Sequence, residues 1–350
     1  MLPISVCIIA KNEEKHIEEC LRRLKPYQYE IVLVDTGSTD RTVEIAKNYT
    51  DRIYSFDWCD DFSAAKNYAM SKASHDWVLS LDCDEYVETI DEGSMQKQMQ
   101  ANPQAAGRIL LKNRFMQDGQ PSTEYVRLSR LVNRHYFHFA GAVHEQLEPI
   151  AADISKTVYD IPVTVLHVGY DGSEEAMRRK SLRNIFLLEK ELQKQGPDAY
   201  LYFQLGQSYM KLEDYKKAYD WFDQGLSMDV DPSLNYVQLM VESYGYCLLN
   251  LKRYRDALQL SNIYDTFAVT ADFVFLMGLI YMNNGLFTEA VEEFEKSTTI
   301  ERFSVEGTNS YRSFYNIGVI YECTGHLKEA RSYYRKCGDF EPALTRLRAI

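Results

Sequence analysis

Asp82 and Asp84 stand two residues apart at the end of the apolar run Trp77 to Leu81. On an extended strand alternate side chains share a face, so the two carboxylates are expected to project together while Cys83 points the other way. Two carboxylates on one face make a hard-oxygen site, which suits Mg²⁺ or Mn²⁺ bound together with substrate phosphates. Taken alone Asp82-Cys83-Asp84-Glu85 also reads as an acidic solvated turn, and its place after a strand is what gives it weight. Other reactive groups follow apolar runs: Glu13 after Ile4 to Ala10, Asp35 ending Glu30 to Asp35, and His167 at the end of the run Ile161 to Val168. Gly141-Ala142-Val143-His144-Glu145 offers a base facing an electrophilic carbon, with Glu145 preferred and His144 as its rival. The zinc-protease pattern is excluded because the second His after His144-Glu145 is missing. His135 and His138 have HxxH spacing without a third ligand and read as residues of an aromatic-rich sheet.

These residues need a scaffold that delivers them to one place. The first 85 residues alternate short β-branched runs with helical ones: Ile4 to Ala10, Glu14 to Leu24, Glu30 to Asp35, Thr39 to Lys47, Arg52 to Phe56, Asp61 to Lys72 and Trp77 to Leu81. Such alternation predicts a parallel sheet with helices on its faces, and ligands gather at the carboxyl ends of its strands. The polar clusters sit at those ends. From Ala106 to Val168 the pattern turns strand-rich, with Arg108 to Lys112, Glu124 to Val132 and Thr157 to His167 extending the sheet and closing over the site. Asp171-Gly172-Ser173 then opens a helix, Glu174 to Gln195, which stops at Gly196-Pro197, where a hinge is expected.

Beyond the hinge the chain repeats itself. Gly206, Gly245, Gly278 and Gly318 are each followed twelve residues later by Ala218, Ala257, Ala290 and Ala330. Three of the four units carry Tyr three after the Gly (Tyr209, Tyr281, Tyr321) and an aromatic four after the Ala (Phe222, Phe294, Tyr334). A small residue where paired helices touch and a large one filling the next gap is what a helix-turn-helix repeat requires. The glycine intervals of 39, 33 and 40 suggest three to four TPR-like units with insertions. Ordinary tight packing in an α-bundle is the competing explanation. Repeat stacks form concave surfaces for peptides or partner proteins, and serve equally as spacers or homo-oligomer contacts.

Bulk properties narrow the class. The chain has 350 residues, 45% hydrophobic and 26% charged, and a net charge of -12. This excess of acid argues against a general affinity for nucleic acid or anionic membrane. Seven cysteines form no CxxC pair and read as reduced thiols of a cytoplasmic protein. The longest later apolar stretch, Phe273 to Met282, is half of what a spanning helix needs, and no membrane segment or leader is expected.

The segments ISVCIIAKNE (Ile4 to Glu13), IVLVDTGSTD (Ile31 to Asp40), WCDDFSAAKN (Trp58 to Asn67) and LSLDCDE (Leu79 to Glu85), in that order, resemble the family 2 glycosyltransferases of the GT-A fold. The resemblance spans residues 1–170 and is closest to the bacterial branch that joins this domain to TPR-like repeats. The S-glycosyltransferases of sublancin-type peptides are relatives of that branch. The resemblance implies that Glu13 and Asp35 contact the ribose and base of a nucleotide. It gives Lys66, with Asn67 beside it, to the donor's phosphates or sugar, at a position often filled by Arg-Asn. Asp84 becomes the direct metal ligand, with Asp82 nearer the ribose and metal, and His167 a further metal or phosphate contact. Glu85 supports the metal shell or caps the next segment of chain. The family's base motif is usually Glu-Asp, from which His144-Glu145 departs.

Each assignment has a plainer counterpart. Asp35 serves as well in a turn, with Gly37 allowing it and Ser38 or Thr39 capping the next helix. Lys66 reads as a solvated helix lysine, and His167 as a satisfied core histidine. Arg127 and Arg130 hold donor phosphate or form structural ion pairs. The expectation is an α/β GT-A domain over 1–170, a helical linker over 171–197 and an all-α TPR-like domain over 198–350. The implied reaction is divalent-metal-dependent, inverting transfer from a nucleotide sugar, a UDP-sugar above all, to a peptide or protein side chain, or to a glycan or lipid-linked sugar. The contrasting class is a non-catalytic interaction protein whose repeats bind a partner.

Overall fold

A computed structural model of the chain describes residues 2–117, 120–168 and 174–350. The chain forms two compact units, Met1–Met177 and Arg178–Ile350. Among the described residues no helix is long and apolar enough to cross a membrane.

The first unit is built on an eight-stranded mixed sheet. Its strands are β1 (Ile4–Ala10), β2 (Glu30–Asp35), β3 (Ile53–Ser55), β4 (Trp77–Asp82), β5 (Glu85–Ile90), β6 (Ala106–Gln117), β7 (Gln120–Asn133) and β10 (Val158–His167), while β8 (Phe137–Ala140) and β9 (Gln146–Pro149) pair separately. The order is β3-β2-β1-β4-β7-β6-β10-β5. The first four strands are parallel, β7 runs antiparallel to β4 and β6, and β5 runs antiparallel to β10. The helices are α1 (Ile17–Leu24), α2 (Thr42–Ala46), α3 (Phe62–Lys72) and α4 (Glu92–Ala101).

The period of two along β1 assigns the faces. Ile4, Val6, Ile8 and Ala10 join one core with Ile17, Leu21 and Leu24 of α1 and Met95 of α4. Cys7 joins the opposite core with Ala69 and Met70 of α3 and Phe137 and Phe139 of β8. The register places Ala10 beside Asp35 and Ile9 beside Asp82, so the carboxyl ends of β2, β1 and β4 lie side by side. This is the mixed α/β architecture that the resemblance implies. The sequence pattern had not indicated β5, α4, β8 or β9.

The second unit is helical: α5 (Glu174–Gln195), α6 (Ala199–Met210), α7 (Tyr215–Leu226), α8 (Asn235–Asn250), α9 (Tyr254–Ala257), α10 (Tyr264–Phe267), α11 (Ala271–Asn283), α12 (Phe287–Ser297), α13 (Tyr311–Cys323), α14 (Leu327–Lys336) and α15 (Glu341–Ala349). The tripeptide Asp171-Gly172-Ser173, expected to open α5, lies outside the described residues. The glycine pattern has a direct physical basis. A Cβ at Gly206 would stand 2.3 Å from the Phe222 ring, one at Gly278 2.7 Å from Phe294, and one at Gly318 2.4 Å from Tyr334. Each aromatic therefore needs the bare backbone of the helix before it. The unit of Gly245 lacks that aromatic, and its second helix breaks into α9, a 3₁₀ stretch Leu258–Ile263 and α10. Gly206→Ala is expected to destabilise this unit by about 1–3 kcal/mol through overpacking, against about 1 kcal/mol gained in helix propensity. Urea denaturation followed by Trp221 fluorescence in a Trp58→Phe, Trp77→Phe background checks the sign, and a stabilised variant would show that the ring yields.

The insertion after α12 is pinned by Asp272. Its buried carboxylate accepts from the amides of Ser304 (2.6 Å) and Val305 (3.0 Å) and from the Thr308 hydroxyl (3.1 Å). Burial nevertheless raises its pKa.

Candidate active site

The two loops that leave β1 and β2 are knitted together. Asn12 adopts a left-handed backbone (φ 56°) and exchanges bonds with the second loop: its N–H donates to Ser38 Oγ (2.9 Å) and its Oδ1 accepts from the Thr39 amide (2.7 Å). The Glu13 amide donates to Thr42 Oγ1 (2.7 Å). The Asp35 carboxylate accepts from the amides of Gly37 and Ser38 (3.2 Å), and Gly37 (φ 102°) allows that turn. Neither Ser38 nor Thr39 caps α2. Asp40 Oδ1 takes the Thr42 amide instead (3.0 Å), because Ser38 and Thr39 are engaged by Asn12. Glu13 and Asp35 thus sit on neighbouring loops at the carboxyl edge.

The strand argument for Asp82 and Asp84 needs correction. β4 ends at Asp82, and Cys83 and Asp84 form a turn before β5. The turn, and not strand alternation, sets the direction of Asp84. Cys83 points inward, its thiol donating to the Ile9 carbonyl (3.4 Å) beneath the turn.

Around the end of β4 lies an ion network whose cations are buried while the Asp82 side chain keeps 37% of its surface exposed. Lys66, on α3 and 5% exposed, contacts Asp82 Oδ1 (3.2 Å) and pairs with Glu145. Arg130, on β7, reaches Asp82 Oδ2 (3.0 Å) and Glu85 Oε1 (2.7 Å) through the same Nη2. The buried Nε of Arg130 has no partner among the described residues. Glu85 Oε2 also accepts the Asp82 amide (3.0 Å). Loss of water would raise the Asp82 carboxyl, but Lys66 and Arg130 outweigh it and hold the group well below the usual carboxylate range. Glu85 goes the other way, because its burial and the charge of Asp82 exceed the pull of Arg130. Burial disfavours the Lys66 ammonium, yet Asp82 and Glu145 leave its pKa raised.

Beside this network His167 places Nε2 3.3 Å from Asp84 Oδ2 and Nδ1 2.9 Å from Asn113 Oδ1. Asp84 and His167 offer one hard oxygen and one imidazole nitrogen, both less than a fifth exposed. That pair fits Mg²⁺ or Mn²⁺ held jointly with a diphosphate, since these ions take much of their coordination from phosphate and water. Among the described residues no larger group of His, Cys, Asp and Glu side chains gathers to hold an ion.

The remaining candidates are placed differently. Asn67 exchanges two hydrogen bonds of 2.8 Å with the backbone of Phe139, tying α3 to β8. His144 (φ 54°) shapes the turn before Glu145, and the Ala142 carbonyl accepts from the Phe62 amide at the start of α3 (2.8 Å). Arg127 lies 3.8 Å from Asp160, away from the network, and His135 pairs with Asp76 at the surface. All seven cysteines are free thiols. Sequence reasoning missed Asn113 and Glu124, because β6 and β7 carry so many polar residues that neither stands out.

Residues 5–144 match glycosyl transferase family 2, and residues 199–231, 271–303 and 311–343 match tetratricopeptide repeats. The chain is 32% identical over 273 residues to a TPR repeat-containing protein of Synechococcus elongatus, covering 74% of this chain and 66% of that protein. It is 28% identical over 238 residues to the SPbeta prophage-derived glycosyltransferase SunS of Bacillus subtilis, covering 64% of this chain and 54% of that one. The chain therefore spans between half and two thirds of these curated relatives. Among solved structures, that of MamA is 21% identical, with a TM-score of 0.40 over 50% of this chain and 98% of MamA. The matched segments contain Glu13, Asp35, Lys66, the Asp82 turn and Arg130 in one domain and the Gly–aromatic units in the other: the chain carries a glycosyl transferase family 2 domain over residues 5–144, followed by tetratricopeptide repeats.

Proposed function

We propose that the first unit catalyses divalent-cation-dependent transfer of a sugar from a nucleotide diphosphate sugar, most simply a UDP-sugar, with inversion at the anomeric carbon. The observation that carries the reading is the convergence of Asp82, Asp84, Lys66, Arg130, Glu145 and His167 at the carboxyl end of β4, within the family 2 domain. Glu13 and Asp35 are assigned to the nucleoside, and Lys66 and Arg130 to its phosphates. Asp84 and His167, with Asp82 behind them, would hold the cation, which when bound neutralises charge on the departing diphosphate. Glu145 takes the acceptor proton as the acceptor atom bonds to the anomeric carbon. The bond from that carbon to the diphosphate oxygen breaks, and its electron pair leaves on the diphosphate. The repeats favour a peptide or protein acceptor, because stacked helix pairs present extended binding surfaces.

Thermal stabilisation and donor hydrolysis across a panel of nucleotide sugars with Mn²⁺ or Mg²⁺ test this reading. One donor at a hundred times its Kd is expected to stabilise the chain by about 2.7 kcal/mol. Asp84→Asn is expected to lose that shift. No shift with any donor would leave the interaction-protein reading in its place.

A further inference from the structure

Three polar residues line up across three neighbouring strands. Asn113 within β6 lies in register with Glu124 on β7 and with His167 on β10. Asn113 is buried, and its two amide atoms face opposite ways. Nδ2 donates to Glu124 Oε2 (3.0 Å), and Oδ1 lies 2.9 Å from His167 Nδ1. A carboxylate only accepts hydrogen bonds, so Asn113 must turn its NH₂ toward Glu124. Its carbonyl oxygen, which also only accepts, is then left facing the ring, and Nδ1 must carry the proton.

We propose that Glu124 and Asn113 form a one-directional hydrogen-bond relay that keeps the His167 proton on Nδ1 and presents Nε2, beside Asp84, as the atom that takes a divalent cation. This rests on the reading of Asp84 and His167 as cation ligands. Asn113 and Glu124 touch neither cation nor sugar in this scheme and are positioning residues. The relay has two consequences. It fixes the ring in the tautomer that leaves Nε2 able to coordinate, and it anchors Nδ1 so that the ring cannot rotate without breaking the bond to Asn113. Outer partners of this kind typically change metal affinity about 10–100-fold when removed.

The test is ¹⁵N-resolved imidazole spectroscopy on the full chain without metal, at a pH where the neutral ring is observed, with His167 assigned through a His167→Gln variant. The native ring is expected to carry its proton on Nδ1. Asn113→Leu removes the acceptor and is expected to move the proton to Nε2, toward Asp84. Glu124→Lys, a donor in place of an acceptor, is expected to turn the Asn113 amide over and move the proton the same way, so the prediction survives if the leucine variant fails to fold. Titration with Mn²⁺ alone, followed by electron paramagnetic resonance, is expected to show affinity about 10–100-fold weaker in the folded variant. A native proton on Nε2, an unchanged tautomer in the variants, or unchanged Mn²⁺ affinity would overturn the relay. Failure of the transfer reading looks different: the native ring shows the Nδ1 proton while no nucleotide sugar is turned over.

Discussion

Glu145→Gln is expected to lower kcat for transfer to a hydroxyl acceptor by about 10²–10⁴-fold while leaving the donor-induced thermal shift in place. The variant keeps an amide oxygen for Lys66, so the contact to α3 remains and the base is removed. Initial rates at saturating donor, with acceptor varied, separate a loss in kcat from a loss in KM. The geometry explains why the effect should be specific. Glu145 is 11% exposed and shares the Lys66 ammonium with Asp82, so base and diphosphate machinery are linked through one cation. A thiol acceptor predicts the opposite outcome, because thiolate is accessible near neutral pH without a strong base. With the chain's own acceptor, a small loss in both Glu145→Gln and His144→Gln would therefore point to a thiol, and a small loss in Glu145→Gln beside a large one in His144→Gln would move the role to His144.

How much of this was legible before the structure depended on distance along the chain. β1, β2 and α5 follow from local periodicity and match their expected bounds. The Gly–aromatic rule was legible because Gly206 and Phe222 belong to one helix pair, sixteen residues apart. What the sequence did not reveal was pairing between distant elements. Glu85 reads as a turn residue beside the Asp-x-Asp until Arg130, 45 residues on, neutralises it inside β5. Asn67 looks like part of a donor motif, while its amide bonds the Phe139 backbone 72 residues away. Arg127 and Arg130 were equivalent on paper, and only the sheet sends one to the buried network and the other toward Asp160. The local motif named residues at the end of β4, and the register of β4, β6, β7 and β10 supplied the charges that surround them.

Lys66→Met is expected to destabilise the first unit by about 3–5 kcal/mol, the usual cost of removing one partner from a buried ion pair. Asp82 would keep Arg130, but Glu145 would lose its lysine and the site would be left with excess negative charge. Two further variants separate charge from packing. Lys66→Arg keeps a cation and is expected to recover part of the loss. Lys66→Met combined with Glu145→Met removes both members of the pair and is expected to be less destabilised than the sum of the two single changes, since apolar pairs often replace buried ion pairs at little cost. A strictly additive double variant would mean that the two side chains are not coupled. Trp58 and Trp77 lie in the first unit and Trp221 in the second, so a Trp221→Phe background makes urea-induced fluorescence changes report the first unit alone. The pH dependence has a defined sign. Asp82 is held below its ordinary range, so its contribution is complete above the unfolded carboxyl value and disappears as pH falls through the lowered one. The gap between native and Lys66→Met should therefore hold across neutral pH and narrow in acid, and a gap that widened in acid would remove Asp82 as its source.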